Sequence, residues 1–225
     1  MLIKIHLYRN GIRYFLGKLI MDRVRIYQKS ECVIFRKTTE KWGGLSNMAK
    51  DYPICVNGVD IQSSEILYQS LRFTHYPDIQ REILNERNPM YAKRLARKYI
   101  LHTRDNWDIN RISIMKWCVA VKLCQNWERF SKLLFLTYPN YIVEYSEKDL
   151  FWGASYDKLN NNLLIGENIL GRILMQMREI AREKGKPAFE SIYPLPLENF
   201  SLLGESIRTV YSLTNSIIRQ DAFDF

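Results

Sequence analysis

Between Asp108 and Gln125 the chain carries a helix-length run with apolar residues on almost every side: Ile112, Ile114, Met115, Trp117, Val119, Val121 and Leu123. A helix that is apolar all round must be covered all round, so this segment belongs at the centre of a core. Everything else in the sequence has to supply that cover. With 225 residues, 47% hydrophobic and 25% charged, the chain has enough material for one globular domain with some length to spare. Abundant aromatics and branched aliphatics exclude disorder for the bulk of it. No apolar run reaches the roughly 20 uninterrupted residues a membrane span needs.

The flanking elements are legible from turn chemistry. Two short β-prone runs, VRIY and CVIF, lie between Val24 and Arg36. A loop with Trp42, Gly43, Gly44, Ser46 and Asn47 follows, then YPICV and VDI around Asn57-Gly58, a strong hairpin signal. Ser63 or Ser64 caps a helix expected to run to about Thr74, and Asn88-Pro89 opens another. Trp127–Thr137 reads as a helix, YIVEY as a strand, Ser146–Asn162 as a polar loop and Gly166–Lys184 as the last strong helix. Helix outweighs strand: the expected fold class is α+β, mainly α, a compact single domain of packed helices with a small antiparallel β-sheet. The division expected is a basic N-terminal arm (1–20), a catalytic domain (21–184) and a C-terminal extension (185–225) with a helix near Leu203–Arg219.

Charge and cysteine usage narrow the partners. The net charge is +9, of which the arm (Lys4, Arg9, Arg13, Lys18) holds +4 and residues 185–225 hold −2. The remaining +7 is spread along helices without a run of like charge, which suits a site for anionic phosphates better than a nucleic-acid face. The arm lacks the apolar stretch and cleavage site of a secretory signal, and Met21 is an alternative start. Cys32, Cys55, Cys118 and Cys124 form no CxxC pair, and His6, His75 and His102 are scattered. Free thiols in a reducing, cytoplasmic compartment are expected, with no metal, no cofactor and no membrane partner.

Three constellations carry potential chemistry. Glu65, Gln69 and Arg72 stand at i, i+4 and i+7, one stripe of a helix, with Glu65 in the first turn where the helix dipole favours its anion. Arg111, Met115, Cys118 and Lys122 form a stripe on the central helix, and two cations there need either carboxylates or ligand phosphates. Glu144, Glu147 and Asp149 precede Trp152-Gly153 in a polar loop, and Gly166, Asn168 and Gly171 open the final helix, where exposed N–H groups can approach an anion. Trp42, Trp107 and Trp152 either stack on a base or fill the core.

Taken in order, WGGLSNM (42–48), SEILYQ (64–69), NPMYAKRLAR (88–97), NW (106–107), VEYSEKDLFWGA (143–154) and GENILGRILMQMRE (166–179) are specific as a set. The set resembles the NADAR family over roughly residues 33–182. The resemblance implies a mostly helical single domain that hydrolyses a ribosyl C–N bond, with Glu65 as its key catalytic residue. Trp107, Asp149, Trp152, Gly153, Ser46, Asn47 and Asn168 match other family positions. Ile66 stands where many members have histidine and Arg72 where many have lysine, departures that bear on substrate choice.

The mechanism expected has Glu65 facing the charge that develops at C1′ and then taking a proton from water, with Asp149 orienting water or a ribose hydroxyl. Arg72, Arg111 and Lys122 are the candidate phosphate ligands; Ser46, Asn47, Gln69, Trp107, Trp152, Gly153 and Asn168 complete the candidate binding set. Three functions compete: hydrolysis of a ribosylamino-pyrimidine phosphate from early riboflavin synthesis, removal of ADP-ribose from guanine in nucleic acid, and non-catalytic binding of ADP-ribose or NAD. Nucleic acid enters only as an ADP-ribosylated substrate.

Overall fold

The structure, a computed structural model, describes residues 23–212. The expectations for the basic arm and Met21 lie outside the described residues, as does the tail beyond 212.

Six helices stand among the described residues: α1 (Ser64–Ser70), α2 (Pro77–Leu84), α3 (Pro89–Lys98), α4 (Trp107–Gln125), α5 (Trp127–Phe135) and α6 (Ile169–Lys184). Helix α4 is the expected central element. It packs against α1, α5 and α6, the strand β3 (Ile54–Val56) and β8 (Ser191–Ile192). From Ile114 to Gln125 all but two of its residues are buried, so its apolar residues find cover on every side. No helix among the described residues is long and apolar enough to cross a membrane.

Local chemistry sets the element ends. The Ser63 hydroxyl accepts from Ile66 N at 3.4 Å and caps α1, which closes at Leu71, a turn earlier than expected. Asn88 accepts from Met90 N at 3.0 Å and Pro89 starts α3. Asn57 (φ 52°) and Gly58 (φ 79°) make the tight turn between β3 and β4 (Val59–Ile61). Helix α2, a short amphipathic element additional to those expected from the sequence, buries Ile79 and Ile83 and starts on Pro77.

The strands form small sheets. β1 (Arg25–Gln28) pairs antiparallel with β7 (Leu163–Gly166), which also pairs with β6 (Ser155–Tyr156). One pair departs from the antiparallel pattern: β2 (Cys32–Phe35) runs parallel to β5 (Tyr141–Glu144), with Phe35 opposite Glu144. A parallel pair needs a long crossover, and nearly all of the helical layer lies between these two strands.

Residues 186–212 do not form the helix expected from Leu203. They make short strand pairs, β8 with β11 (Val210–Tyr211) and β9 (Ser201–Leu202) with β10 (Glu205–Ser206), around a turn at Leu203 (φ 55°) and Gly204 (φ 88°). Phe189, Phe200, Leu202, Ile207 and Val210 join the main core. Polar anchors hold the segment down: Trp117 Nε1 donates to Tyr193 O at 2.8 Å, Gln80 Nε2 to Ser201 O at 3.1 Å, and Arg104 Nη2 to Glu198 O at 2.7 Å.

The four cysteines are free; Cys118 and Cys124 are buried, Cys32 and Cys55 half-buried.

Helix α6 lies so close to β5 that a Cβ on Gly171 would overlap the carbonyl oxygen of Ile142 and the Asn168 side chain. Gly171→Ala is therefore expected to destabilise the fold by about 2–4 kcal/mol, through forced backbone separation. Chemical denaturation measures it; a loss under about 1 kcal/mol would mean that α6 shifts freely.

Candidate active site

A cavity of about 230 Å³ opens where α1, α3, α4, β5 and the loops 46–48 and 146–152 meet. Asp108 lines it as well, with its side chain 87% exposed.

Helix α1 supplies the deepest carboxylate. Glu65 is only 5% exposed, and its Oε1 accepts from Gln69 Nε2 at 2.8 Å, one helical turn on. Its position is fixed from the facing loop: Glu65 N donates to Asn47 O at 3.0 Å, and Ser64 Oγ donates to Asn47 Oδ1 at 3.2 Å. Asn47 Nδ2 in turn points at the Met115 sulfur of α4, 2.7 Å away. Ser46 and Asn47 are thus buried loop residues that tie Glu65 to the central helix, and both also face the cavity.

Asp149 lies across the cavity on the 146–152 loop. Its Oδ1 accepts from Trp152 N at 3.1 Å and its backbone N donates to Ser146 Oγ at 3.0 Å. The aromatic wall is made of Tyr68, Trp107 and Trp152: Tyr68 lies 5.1 Å from the Trp107 ring and 5.7 Å from Trp152, centroid to centroid. Burial raises the Tyr68 phenol well above its ordinary value, helped by Glu65, so it stays neutral. Trp42 is elsewhere, half-buried against the core with Lys41 over its ring.

The two arginines expected as anion ligands are on the wall. Arg72 lies 5.3 Å from the Trp107 ring and its Nε donates to Thr103 Oγ1 at 2.8 Å. Arg111 stacks 3.9 Å from the Phe151 ring. Its Nε is buried without a hydrogen-bond partner, and the Asp108 carboxylate stands 3.7 Å away, too far for a hydrogen bond.

Three expected contacts fall elsewhere, each for a physical reason. Lys122 is not on the cavity wall. It is 1% exposed, its Nζ donates to Gly44 O at 2.7 Å and Ser46 O at 3.0 Å, and it lies over the rings of Phe130 (4.1 Å) and Tyr52 (4.6 Å). Backbone carbonyls and ring faces, with the Asp51 carboxylate acting at longer range, hold that side chain away from the cavity. Asn168 and Gly153 do not touch the cavity either. Asn168, held at φ 50°, bridges strands and helix: its Nδ2 donates to Ile142 O at 2.9 Å and its Oδ1 accepts from Glu144 N at 3.2 Å. A Cβ on Gly153 would overlap Glu144 O, so glycine is what lets the Asp149 loop lie against β5.

Nor is the start of α6 an anion site. Its first N–H groups are already used, Glu167 N by Leu150 O (2.7 Å), Ile169 N by Phe151 O (3.0 Å) and Leu170 N by Trp152 O (3.1 Å).

Two further charged residues line the wall: Glu144, grouped by sequence with Glu147 and Asp149 but held at the end of β5 after buried Ile142 and Val143, and Lys93 on α3. Burial pushes the Glu144 carboxyl up to about 7; Glu65 and Asp149 push the same way and Lys93 opposes them. An acid directly following an apolar strand was the one available signal. Among the described residues, no group of three or more His, Cys, Asp or Glu side chains is arranged to hold a metal ion.

The NADAR domain family model matches residues 34–182, the part of the chain that builds this cavity. N-glycosidase YbiA of Shigella boydii is 32% identical over 164 residues, covering 72% of this chain and 97% of its own. Riboflavin biosynthesis protein VVA0006 of Vibrio vulnificus is 33% identical over 172 residues, 76% of this chain and 44% of that protein. The NMR structure of E. coli YbiA superposes with a TM-score of 0.57 at 32% identity, covering 68% of this chain and 86% of that one. A match of this extent, over the segments that form the cavity, makes the chain a member of the NADAR family.

Proposed function

We propose that the chain hydrolyses the C–N bond between ribose 5-phosphate and an aminopyrimidine, with Glu65 as the central carboxylate. The observation that carries this is one cavity lined together by carboxyl groups, two arginines and the rings of Tyr68, Trp107 and Trp152. The names of the relatives support it: N-glycosidase for YbiA and riboflavin biosynthesis for the Vibrio protein.

The chemistry follows from the charges. As the nitrogen departs with the bonding pair, positive charge builds on C1′ and the ring oxygen. A buried carboxylate stabilises that state and then accepts a proton from the attacking water. Glu65 fits this role, because Gln69 and the Asn47 loop hold it in place and little water competes for it. Asp149 faces the same space and suits a ribose hydroxyl or the water. Arg111, with its unpaired Nε, and Arg72 suit the phosphate. Tyr68, Trp107 and Trp152, tilted 45° and 82° about Tyr68, offer the heterocycle an aromatic corner rather than a flat plate.

Removing the Arg111 charge is expected to weaken ground-state binding more than turnover. Arg111→Leu should raise KM about 10- to 100-fold with kcat changed by less than about fivefold. Steady-state kinetics on the ribosylamine phosphate measure this, and an unchanged KM would take Arg111 out of the phosphate site.

One observation favours a second substrate. Lys93 lines the wall, and its helix α3 also exposes Arg94, Arg97 and Lys98, a cluster of cations suited to a nucleic-acid backbone carrying ADP-ribose on guanine. The deciding experiment compares ribose 5-phosphate release from the ribosylamino-pyrimidine phosphate with ADP-ribose release from modified DNA, each at low and high salt. Release from the small substrate with little salt dependence supports the first reading. Activity only on DNA, falling steeply with salt, supports the second.

A further inference from the structure

We propose that Glu144 is a catalytic residue, the general acid that hands a proton to the departing nitrogen. The proposal rests on the N-glycosidase reading above and assigns a step which that reading leaves open.

A departing amine needs that proton. If the C1′–N bond breaks with its electron pair on an exocyclic amine nitrogen, the product is a strongly basic anion unless a proton arrives during cleavage. Glu65 cannot supply it, since it must be anionic to face the positive ring. A second acid has to be protonated at the start.

Of the four carboxyl groups on the cavity wall, Glu65, Asp108, Glu144 and Asp149, the structure singles out Glu144, since the Asp108 side chain is 87% exposed. Glu65 accepts from Gln69 Nε2 at 2.8 Å, and Asp149 accepts from Trp152 N at 3.1 Å. Both carboxyl groups are thus engaged by protein donors. The Glu144 side chain has no hydrogen-bond donor among the described residues. Its backbone, by contrast, is fully held: Glu144 N donates to Asn168 Oδ1 at 3.2 Å, and Glu144 O accepts from Ala154 N at 2.8 Å. The carboxyl is therefore aimed into the cavity from the rigid end of β5.

Its charged neighbours on the wall are Glu65 and Arg72 from α1 and its end, Lys93 from α3, Asp108 and Arg111 from α4, and Asp149 from the 146–152 loop. Glu65 and Asp149 act against a third negative charge, Lys93 acts for it, and burial decides the balance towards the neutral acid, with titration at about 7. An unperturbed glutamate titrates near ~4.3. Glu144 is thus the buried wall carboxyl that no protein donor among the described residues meets.

The step balances. The C1′–N bond breaks and the nitrogen takes the Glu144 proton with the electron pair. Water adds to C1′ and yields its proton to Glu65. Glu144 ends as the anion and Glu65 as the acid, and exchange with solvent through the mouth restores both.

The test uses the full chain and two readouts. With the ribosylamino-pyrimidine phosphate, Glu144→Gln is expected to lower kcat about 10²-fold or more with KM nearly unchanged. The wild-type kcat should fall above pH 7, and the variant should lose that alkaline limb. A side chain that merely positions others would leave the limb in place, so its persistence in Glu144→Gln overturns the proposal, as does full activity. The second readout needs no substrate: in protein carrying 13C-carboxyl glutamate, the resonance missing from Glu144→Gln should titrate near neutral pH. Titration between about 4 and 5 overturns the proposal whatever the substrate is. If wild type releases no ribose 5-phosphate, the riboflavin-type reading fails by that result alone, and the carboxyl titration still decides for or against Glu144.

Discussion

Glu65→Gln is expected to lower kcat about 10³-fold while leaving the fold intact. The substitution keeps size and shape and removes only the charge. The amide oxygen of the new side chain can still accept from Gln69, so the 2.8 Å bond and the buried turn survive. What disappears is the negative charge at a site 5% exposed, where the low local dielectric makes one carboxylate worth several kcal/mol to a developing oxocarbenium charge. KM should change by less than about threefold, because the ground-state sugar carries no such charge. Ribose 5-phosphate release and a thermal unfolding curve on the same preparation provide the check. An unfolding temperature within a degree or two of wild type with activity lost assigns catalysis; retained turnover removes Glu65 from the mechanism.

Lys122→Met should destabilise the fold as much as Gly171→Ala does. The thioether replaces the stem but not the donors, so Gly44 O and Ser46 O lose the bonds they accept at 2.7 and 3.0 Å. Leaving buried acceptors unpaired costs about 1–3 kcal/mol each, and the ring contacts with Phe130 and Tyr52 weaken as well. Relief from burying a charge offsets part of this, so about 2–4 kcal/mol net is expected. For a domain of this size that lowers the unfolding temperature by about 5–15 °C. The effect also has a pH signature. Burial pulls the Lys122 ammonium down to about 7, with Asp51 opposing, whereas in the unfolded chain it titrates near ~10.4. Between those values the unfolded state holds the extra proton, so wild-type stability rises with pH through that window and is lost as pH falls back towards 7. The variant lacks this term. Denaturation at pH 6.5 and 9.5 should therefore show a wider gap between the two proteins at the higher pH. A gap that is constant or narrows would mean that the lysine keeps its charge throughout. Activity should fall as well, because Lys122 braces the loop whose Asn47 carbonyl holds Glu65 N.

These two residues also mark the limits of reading the chain unaided. Glu65 was legible because its signals are local: a capping serine, a first-turn acid, and Gln69 and Arg72 on the same side. The Asn57-Gly58 turn, the Asn88-Pro89 start and the all-round apolar helix were legible for the same reason, since each is set within a few residues. Lys122 was not. Its stripe on α4 is shared with Arg111, yet one cation faces the cavity and the other meets two backbone carbonyls and two rings from segments far away in sequence. The Gly166–Gly171 stretch misled in the same manner, because carbonyls of the 150–152 loop occupy the donors of α6. The Leu203 segment carries helix-like spacing, but its hydrophobic residues are better buried as short strands across α2 and α4.

Sequence alone determined the helical class, the central helix, the caps and turns, the family, and Glu65 and Asp149 as its candidate acids, because periodicity, turn chemistry and an ordered set of motifs are properties of the chain itself. Only the tertiary structure decided which cations reach the cavity, that the glycine-flanked helix start is closed to anions, and that Glu144 stands in the site without a hydrogen-bond donor. Those are matters of which distant backbone passes a given side chain, and the free energy of a buried charge depends on that neighbour more than on the residue that carries it.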